Sequence, residues 1–298
     1  MKYLIRLLTY TGRLKVRDNT LSGGIRFLTV FLMAIVLGGC ATSNAVKIQN
    51  QVKSEEQVAR AREIQIQKPP DYFKVGERLT YDVRWLGARV GEVVSTIKSA
   101  ETQNGREVYV VELTARTNGF CSKIYRIFDR YVSYIDKEDL TSHKHIAQRS
   151  EGKYRKDAVT VFDRQNQKAY FQNAVDNSKK TFDIPPLCRD PISAIYYFRT
   201  LDVKLRDKVY YKVVNNEEVY DLYALIKDKK FITIENKKTY ESFYIEPYAL
   251  LKGERYKKGN ASIYVSSDGQ RLPVLGIIKA PLFTRITVSL ASIEYVYE

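Results

Sequence analysis

Six acidic residues could supply the paired carboxylates that glycan hydrolysis requires. They are Asp129, Glu151, Asp157, Asp163, Asp190 and Asp268. Two carboxyl groups roughly 5–9 Å apart, one protonated and one ionised, cleave a glycosidic bond. Spacing along the chain does not test such a pair, because the distance between acids on different strands depends on the register of the sheet. A glycan hydrolase is therefore one alternative function.

The only two histidines, His143 and His145, are the candidates for metal or serine-hydrolase chemistry. At positions i and i+2 of a strand their side chains face the same way, and with Asp139 they would resemble a metal-ligand set. Lys144 lies between them, which favours a solvated strand edge instead. A serine hydrolase needs an activated serine beside one of them, and no local motif supports that.

The sequence lacks the motifs of several common enzyme classes. It contains no G-x-S-x-G, H-E-x-x-H, C-x-x-C or P-loop pattern. We therefore expect a non-enzymatic protein without a cofactor or a metal ion.

Cys40 is the residue with the clearest predicted chemistry. A mostly apolar segment, residues 27–37, follows Arg26 and ends at Gly38-Gly39-Cys40. This is the pattern of an export signal that is too short to span a membrane. It resembles the lipobox of bacterial lipoproteins, which implies cleavage before Cys40 and acylation of that residue. The alternative is a simple secretory signal in which Cys40 is incidental.

The predicted signal also indicates location and partners. Ala41 differs from the aspartate that retains lipoproteins of enteric bacteria at the inner membrane, so the resemblance implies an outer-membrane lipoprotein. We expect it to face the periplasm, with the cell surface as the alternative. Of the net charge of +15, residues 1–39 carry +5 and the remaining 259 residues keep +10. Such a charge favours anionic lipid, glycan or protein partners, and we expect no nucleic acid in that compartment. Basicity spread evenly over a solvated surface is the alternative.

Cys121 and Cys188 remain as a candidate disulfide. An oxidising compartment permits their pairing, and closure of a 68-residue loop would stabilise the fold. Spacing alone does not show that the two residues meet, so two separately buried thiols remain the alternative.

Hydrophobic periodicity divides the chain into three parts: a signal peptide over residues 1–39, a lipidated cysteine with a polar tether over 40–70, and a β domain over 71–298. Leu79, Tyr81, Val83 and Trp85 alternate with polar residues, as in a half-buried strand. Asn104-Gly105 predicts a hairpin. A shift in the alternation between Leu290 and Ile293 predicts a β-bulge in the last strand.

One helix is predicted near residues 191–201. Asp190 can cap it and Pro191 suits its first turn. The fold class is therefore mainly β: a single strongly curved antiparallel sheet or barrel with one short helix.

An ordered series of motifs resembles a known family. The series comprises Phe73-x-Val75-Gly76-Glu77-x-Leu79-x-Tyr81-x-Val83-x-Trp85-Leu86-Gly87-x-x-x-Gly91, residues 151–157, Asp190-Pro191-Ile192-Ser193, and Ser267-Asp268 followed by Pro273-Val274. It resembles the exported bacterial domain of unknown function 3108 over roughly residues 71 to 298. The resemblance implies a β-barrel-like exported protein, similar in fold to YmcC-type lipoproteins associated with capsule export, and no reaction. Tyr264 departs from the family pattern, where a tryptophan is expected.

These motif residues have structural explanations. Gly76, Gly87 and Gly91 permit a turn or a close approach of strands. Glu77 is expected to accept backbone N–H groups at the start of its strand, and Asp268 to stabilise a hairpin turn.

Three functions therefore compete. The leading one is an envelope lipoprotein whose β domain binds a lipid, glycan or protein partner in envelope or surface-polysaccharide assembly. The second is the hydrolase with two carboxylates, and the third is a purely structural interaction module. A solid interior would argue against an enclosed ligand, since only a hollow barrel can hold one.

Overall fold

The computed structural model describes residues 72–255, 261–279 and 284–296. The predicted signal, Cys40 and the tether lie outside the described residues. Within them, fifteen strands form one antiparallel sheet and two helices accompany it. The strands are β1 (Glu77–Trp85), β2 (Ala88–Gln103), β3 (Arg106–Thr117), β4 (Ile127–Asp136), β5 (Ser142–Glu151), β6 (Tyr154–Asp163), β7 (Lys168–Asn173), β8 (Lys179–Asp183), β9 (Lys208–Asn215), β10 (Glu218–Thr233), β11 (Thr239–Leu251), β12 (Glu254–Arg255), β13 (Ala261–Ser266), β14 (Pro273–Lys279) and β15 (Arg285–Tyr295). The helices are α1 (Gly119–Ser122) and α2 (Pro191–Thr200).

The sheet is curled into a barrel-like shape without closing. Its strand order is β8-β7-β6-β5-β4-β3-β2-β1-β15-β14-β13-β11-β10-β9, and β12 pairs with β11. The segment before α2 lies between the two halves of the curl: the Ser142 N–H of β5 donates to Cys188 O, and Arg189 forms a parallel bridge with Val213 of β9. The predicted fold class, a strongly curved antiparallel sheet, is confirmed.

Antiparallel pairing gives the curled sheet two distinct ends. The Gly76 end carries the start of β1, the Asn104-Gly105 hairpin and the loop over residues 137–141. The α1 end carries the Leu86-Gly87 turn, residues 118–126 around α1, and the β5–β6 turn at Gly152. The described chain therefore begins at one end, while α1 lies at the other.

Helix α2 packs inside the curl. Its Ile192, Ala194, Tyr196 and Tyr197 are buried in one cluster with core residues from both halves of the sheet, such as Val83, Val111, Tyr131, Val213 and Leu222. The bounds of α2 match the predicted helix, and the hairpin at Asn104-Gly105 is also present. The predicted bulge is confirmed, because the β1–β15 register slips between Thr80 and Tyr81, opposite Ala291.

Two parts of the fold differ from the sequence expectation. The sequence did not predict strands β6, β7 and β8, and it did not predict the one-turn helix α1. Among the described residues, no helix has the length and apolar character needed to cross a membrane.

Candidate functional site

The N-terminus of α2 is fixed by a buried cluster around Asp190. Its Oδ1 accepts from the backbone N–H groups of Ile192 (2.8 Å) and Ser193 (3.1 Å), which makes it the helix cap. Its Oδ2 accepts from the hydroxyls of Ser142 (2.6 Å) and Ser133. Both oxygens are thus occupied by structural donors, and Asp190 has the capping role that its position before Pro191 predicts.

The C-terminal turn of α2 is fixed by a buried ion pair. Arg199 Nη1 and Nη2 donate to Glu77 Oε1 (2.7 Å) and Oε2 (2.8 Å), and Tyr196 OH donates to the same carboxylate at 3.4 Å. The guanidinium also lies 4.7 Å from the ring centroid of Phe73. Burial opposes the charge of Arg199, yet the hydrogen bonds to Glu77 hold its pKa above the usual value. The expectation that Glu77 accepts backbone N–H groups is wrong, because a bidentate guanidinium occupies its carboxylate.

The glycines of the first motif allow close approaches and a turn. A Cβ on Gly76 would lie 2.2 Å from Val296 O, and one on Gly91 would lie 2.3 Å from Arg116 O. Gly87 has φ +81° in the β1–β2 turn with open space around it. Trp85 precedes that turn, and its Nε1 donates to Thr284 Oγ1 at 3.2 Å.

A small apolar cavity lies between α2 and the sheet. Its volume is about 50 Å³, and its wall includes Tyr81, Leu113, Ile195, Tyr196 and Val288. Pockets for small molecules usually occupy roughly 300–1,000 Å³. The cavity is therefore far smaller than a lipid or glycan site, and α2 takes up the space that an enclosed ligand would need.

Asp129 and Glu151 are the two predicted acids that the fold brings together. They lie diagonally across β4 and β5, fully buried, with Arg149 between them. Arg149 Nε donates to Glu151 Oε1 at 3.0 Å, and the Ser150 N–H donates to Asp129 Oδ1 at 3.0 Å. Burial, and then the nearby charge of Glu151, raise the pKa of Asp129 to about 7.

This acid pair lacks the geometry of a glycosidase. Both carboxyl groups are buried, so neither faces an open cleft, and each is bonded to structural donors. The remaining acids also have local partners: Asp163 accepts from Asn166 Nδ2 (2.8 Å), and Asp268 accepts from Ser266 Oγ (2.7 Å) and the Gln270 N–H (3.1 Å) in its predicted turn. Asp157 is exposed and accepts from Gln148 Nε2 at 3.3 Å.

Both histidines are buried, so the expected solvated edge is wrong. A register shift in the β4–β5 pairing makes His143 an extra residue between Ser142 and Lys144, which breaks the alternation along β5. His143 Nε2 lies 2.9 Å from Asp136 Oδ2, whereas the ring of His145 stacks on Tyr131. Burial lowers the pKa of His145. The described residues contain no group of three His, Cys, Asp or Glu side chains that could hold a metal ion.

Cys121 and Cys188 are separate thiols. Cys121 is half-buried in α1, whereas Cys188 is buried beside Phe162 and Val214. The structure therefore has two cysteine thiols with no disulfide between them, and only Cys188 of the two is buried. Burial raises the pKa of the Cys121 thiol.

An exposed surface at the α1 end combines apolar and basic side chains. We call it the basic-apolar face and define it by eight residues: Phe120, Lys123, Ile124, Arg126, Phe128, Lys153, Tyr154 and Arg155. All eight are exposed, and Phe120 is 61% exposed. The Gly152 N–H donates to Arg126 O at 2.8 Å, which brings the β5–β6 turn against the segment that follows α1.

Sequence reasoning did not single out this face. Its signal is present in residues 118–128, which contain the apolar Phe120, Ile124 and Phe128, the basic Lys123 and Arg126, and no acid. Scattered apolar residues on a surface are normal, so only the fold shows that these form one face.

Comparison with protein families identifies the chain. The model of the family described as "Protein of unknown function (DUF3108)" matches residues 80–282, more than half of the sequence. The chain belongs to this family. A comparison of this DUF3108 protein with curated proteins finds no match.

One solved structure has a fold similar to that of this DUF3108 chain. A β-barrel-like protein of the domain of unknown function DUF1849 from Brucella abortus aligns with a TM-score of 0.51 and 6% identity, over 75% of this chain and 99% of the other. This similarity concerns the fold alone.

Two further solved structures align less well. A protein with a YmcC-like fold from Bacteroides fragilis, classed as exported, gives a TM-score of 0.27 at 10% identity, over 76% of this chain and 98% of the other. A protein from Parabacteroides distasonis, classed as a lipoprotein, gives 0.29 at 9% identity, with the same coverage of 76% and 98%. These TM-scores are too low to establish a common fold.

Proposed function

We propose that this DUF3108 protein is a non-enzymatic envelope lipoprotein, anchored through Cys40, whose β domain binds an envelope partner on its outer surface. The observation that carries the proposal is the position of α2 inside the curled sheet. A domain with a filled interior has its outer faces and strand ends available for recognition.

The attachment of α2 argues against a ligand enclosed in the sheet. Asp190 and its two serine donors hold one end of the helix, and the Glu77–Arg199 pair holds the other. Displacing α2 would leave that ion pair without one partner, and an unpaired buried charge costs several kcal/mol. The cavity of about 50 Å³ beside the helix offers no alternative space for a large ligand.

The acid pair supports a non-enzymatic role in the same way. A retaining or inverting glycosidase needs room for a sugar ring between its two carboxyl groups. Asp129 and Glu151 are instead bridged by the guanidinium of Arg149 within the core. The hydrolase alternative therefore has no geometric support.

The Gly38-Gly39-Cys40 pattern supports the membrane anchor. Several acyl chains on Cys40 would hold the protein stably at a bilayer. Residues 41–70 would then span at most roughly 100 Å, which lets the domain work away from its anchor. Ala41 supports an outer-membrane position, and we propose that the domain faces the periplasm. The net charge of +10 beyond residue 39 favours an anionic lipid, glycan or protein partner in envelope or surface-polysaccharide assembly.

Metabolic labelling with an alkyne fatty acid tests the anchor. The wild-type chain is expected to become labelled and to remain in the membrane fraction, and Cys40→Ala is expected to lose the label. Cys121→Ala is the matched control, because it also replaces one cysteine by alanine but leaves the lipobox intact. Equal labelling of Cys40→Ala and the wild type would contradict the proposal.

A further inference from the structure

We propose that the basic-apolar face docks the domain onto an anionic lipid bilayer, an inference that rests on the proposed function because Cys40 would bring the domain to a membrane. The face consists of the segment that includes α1, the exposed side chain of Phe128 on β4, and the β5–β6 turn. Its two components match the two layers of a bilayer surface: apolar side chains reach the acyl boundary, and cations bind head groups.

The apolar component is concentrated at α1. Phe120 and Ile124 are four positions apart and are 61% and 45% exposed, and Phe128 is 46% exposed. The turn itself is well held, because Asn118 Oδ1 accepts from the Cys121 N–H (2.8 Å) and Asn118 Nδ2 donates to Arg89 O (2.6 Å). Exposed phenylalanine and isoleucine on a fixed turn expose apolar area to water, and insertion into a bilayer would remove it from water.

The cationic component of this face is unneutralised. Lys123, Arg126 and Lys153 form no ion pair with any described residue, and Arg155 donates only to the backbone oxygens of Gly152 and Tyr154. The acids that adjoin these residues in sequence, Asp129 and Glu151, point into the core and bind Arg149. Free cations next to apolar tips are attracted to anionic lipid, with each cation strengthening binding.

The Gly76 end provides an internal comparison. Phe231, near the end of β10, is 76% exposed and also lies next to lysines. There, however, Lys229 pairs with Glu241 at 2.9 Å, and Lys230 lies 3.9 Å from Asp228. An exposed aromatic is present at both ends, but the two lysines that directly precede Phe231 in the chain have acidic partners, whereas the cations of the basic-apolar face have none among the described residues. Charge complementarity therefore favours the α1 end as the bilayer contact.

The position of the tether is compatible with this orientation. The described chain begins at the Gly76 end, opposite the basic-apolar face. The longest strands have sixteen residues, or roughly 55 Å when extended. Residues 41–70 can span at most roughly 100 Å, so the domain can turn its α1 end towards the membrane that holds Cys40.

Trp85 provides a native probe of docking, because it is the only tryptophan and lies at the α1 end of β1. The full lipidated protein would be reconstituted into vesicles of brominated phosphatidylglycerol and phosphatidylethanolamine, or of brominated phosphatidylcholine alone. Bromine quenches indole fluorescence at short range. We expect strong quenching of Trp85 in the anionic vesicles and little in the zwitterionic ones.

Two variants test the residues of the face, and a third serves as the control. F120S/I124S removes the apolar tips, and K123E/R126E reverses two cations. Each is expected to reduce the quenched fraction at least about fivefold in anionic vesicles. F231S is the matched control and should quench like the wild type. Far-UV circular dichroism checks that all variants remain folded, which is expected because the changed side chains are exposed.

The outcomes separate docking from anchoring. Retention of the protein on vesicles after an alkaline wash reports the acyl anchor, and its loss would contradict the proposed function. If the anchor holds but quenching is equal on both vesicle types, or unchanged by F120S/I124S, bilayer docking is overturned and an acidic protein becomes the occupant of the face.

Discussion

At the scale of single residues, the most informative group is the buried acid pair on β4 and β5. Asp129 and Glu151 share Arg149, so three charged groups depend on one another inside the sheet. Sequence reasoning identified both acids as candidates, since their residue types suit hydrolysis. It did not reveal their burial, because the sequence of a strand whose inner face is polar does not show which of its two faces is buried. Only the pairing register of the sheet shows this.

The protonation of Asp129 leads to a prediction on stability. Its pKa is about 7 in the fold and about 4 in an unfolded chain, so the folded protein binds an extra proton between these values. The stability that this proton contributes is complete below about pH 4 and is lost as the pH rises through 7. The side chain of Asp129→Asn stays neutral at every pH, so the variant does not lose this stability. The melting temperature of the variant minus that of the wild type should therefore be higher at pH 8 than at pH 5.

Thermal unfolding at both pH values measures this difference. Asp163→Asn is the control, since Asp163 is at the surface and its pKa is lowered by Asn166. A difference between Asp129→Asn and the wild type that does not change with pH would contradict the raised pKa of Asp129.

Long-range partners mark the limit of residue-scale prediction. Glu77 and Arg199 are 122 positions apart, and no local pattern connects them. The cap at Asp190 was predictable, because its donors are the next two amides in the chain after Pro191. Interactions within a few residues can be read from the sequence, whereas pairs across the curl require the fold.

At the scale of elements, strands with apolar inner faces were predictable and strands with polar inner faces were not. The alternation of β1 and the bulge of β15 follow from residues such as Leu79, Val83 and Leu290. On β5 and β6 the face that meets the core carries His145, Arg149, Lys156 and Thr160, among others, so the alternation of apolar and polar residues is lost. Burial of polar groups in hydrogen bonds and ion pairs replaces the hydrophobic signal there.

A glycine substitution tests the close packing of β1 against the C-terminal segment. Gly76 has φ +91°, and a Cβ would lie 2.2 Å from Val296 O, whereas Gly87 has φ +81° with nothing within 4 Å. Both alanine variants incur the cost of a left-handed backbone, about 1–2 kcal/mol. Gly76→Ala should lose measurably more unfolding free energy in urea than Gly87→Ala, because the backbone oxygen must also move.

The comparison between these two variants isolates the contact. Equal losses at Gly76 and Gly87 would show that the approach of Val296 to the start of β1 contributes nothing beyond backbone strain. The expected excess at Gly76 would explain why a glycine precedes the strand whose Glu77 anchors α2.

At the scale of the whole molecule, the fold separates three features of the protein. The described chain starts at the Gly76 end, α2 fills the curl, and the basic-apolar face lies at the α1 end. This arrangement favours recognition by an outer face over storage of a ligand inside. The composition predicted a basic protein, but only the strand order places Lys123, Arg126, Lys153 and Arg155 together.

Native mass spectrometry of the lipidated protein, extracted from envelopes in mild detergent, tests the central claim most directly. The account predicts the mass of the chain from residue 40 with its acyl modification and no further stoichiometric ligand, because α2 occupies the interior. Lipid extraction after denaturation, compared with the same envelopes lacking the protein, controls for detergent-bound lipid. A reproducible one-to-one lipid or glycan, released only when the protein unfolds, would contradict the filled interior and identify a carrier.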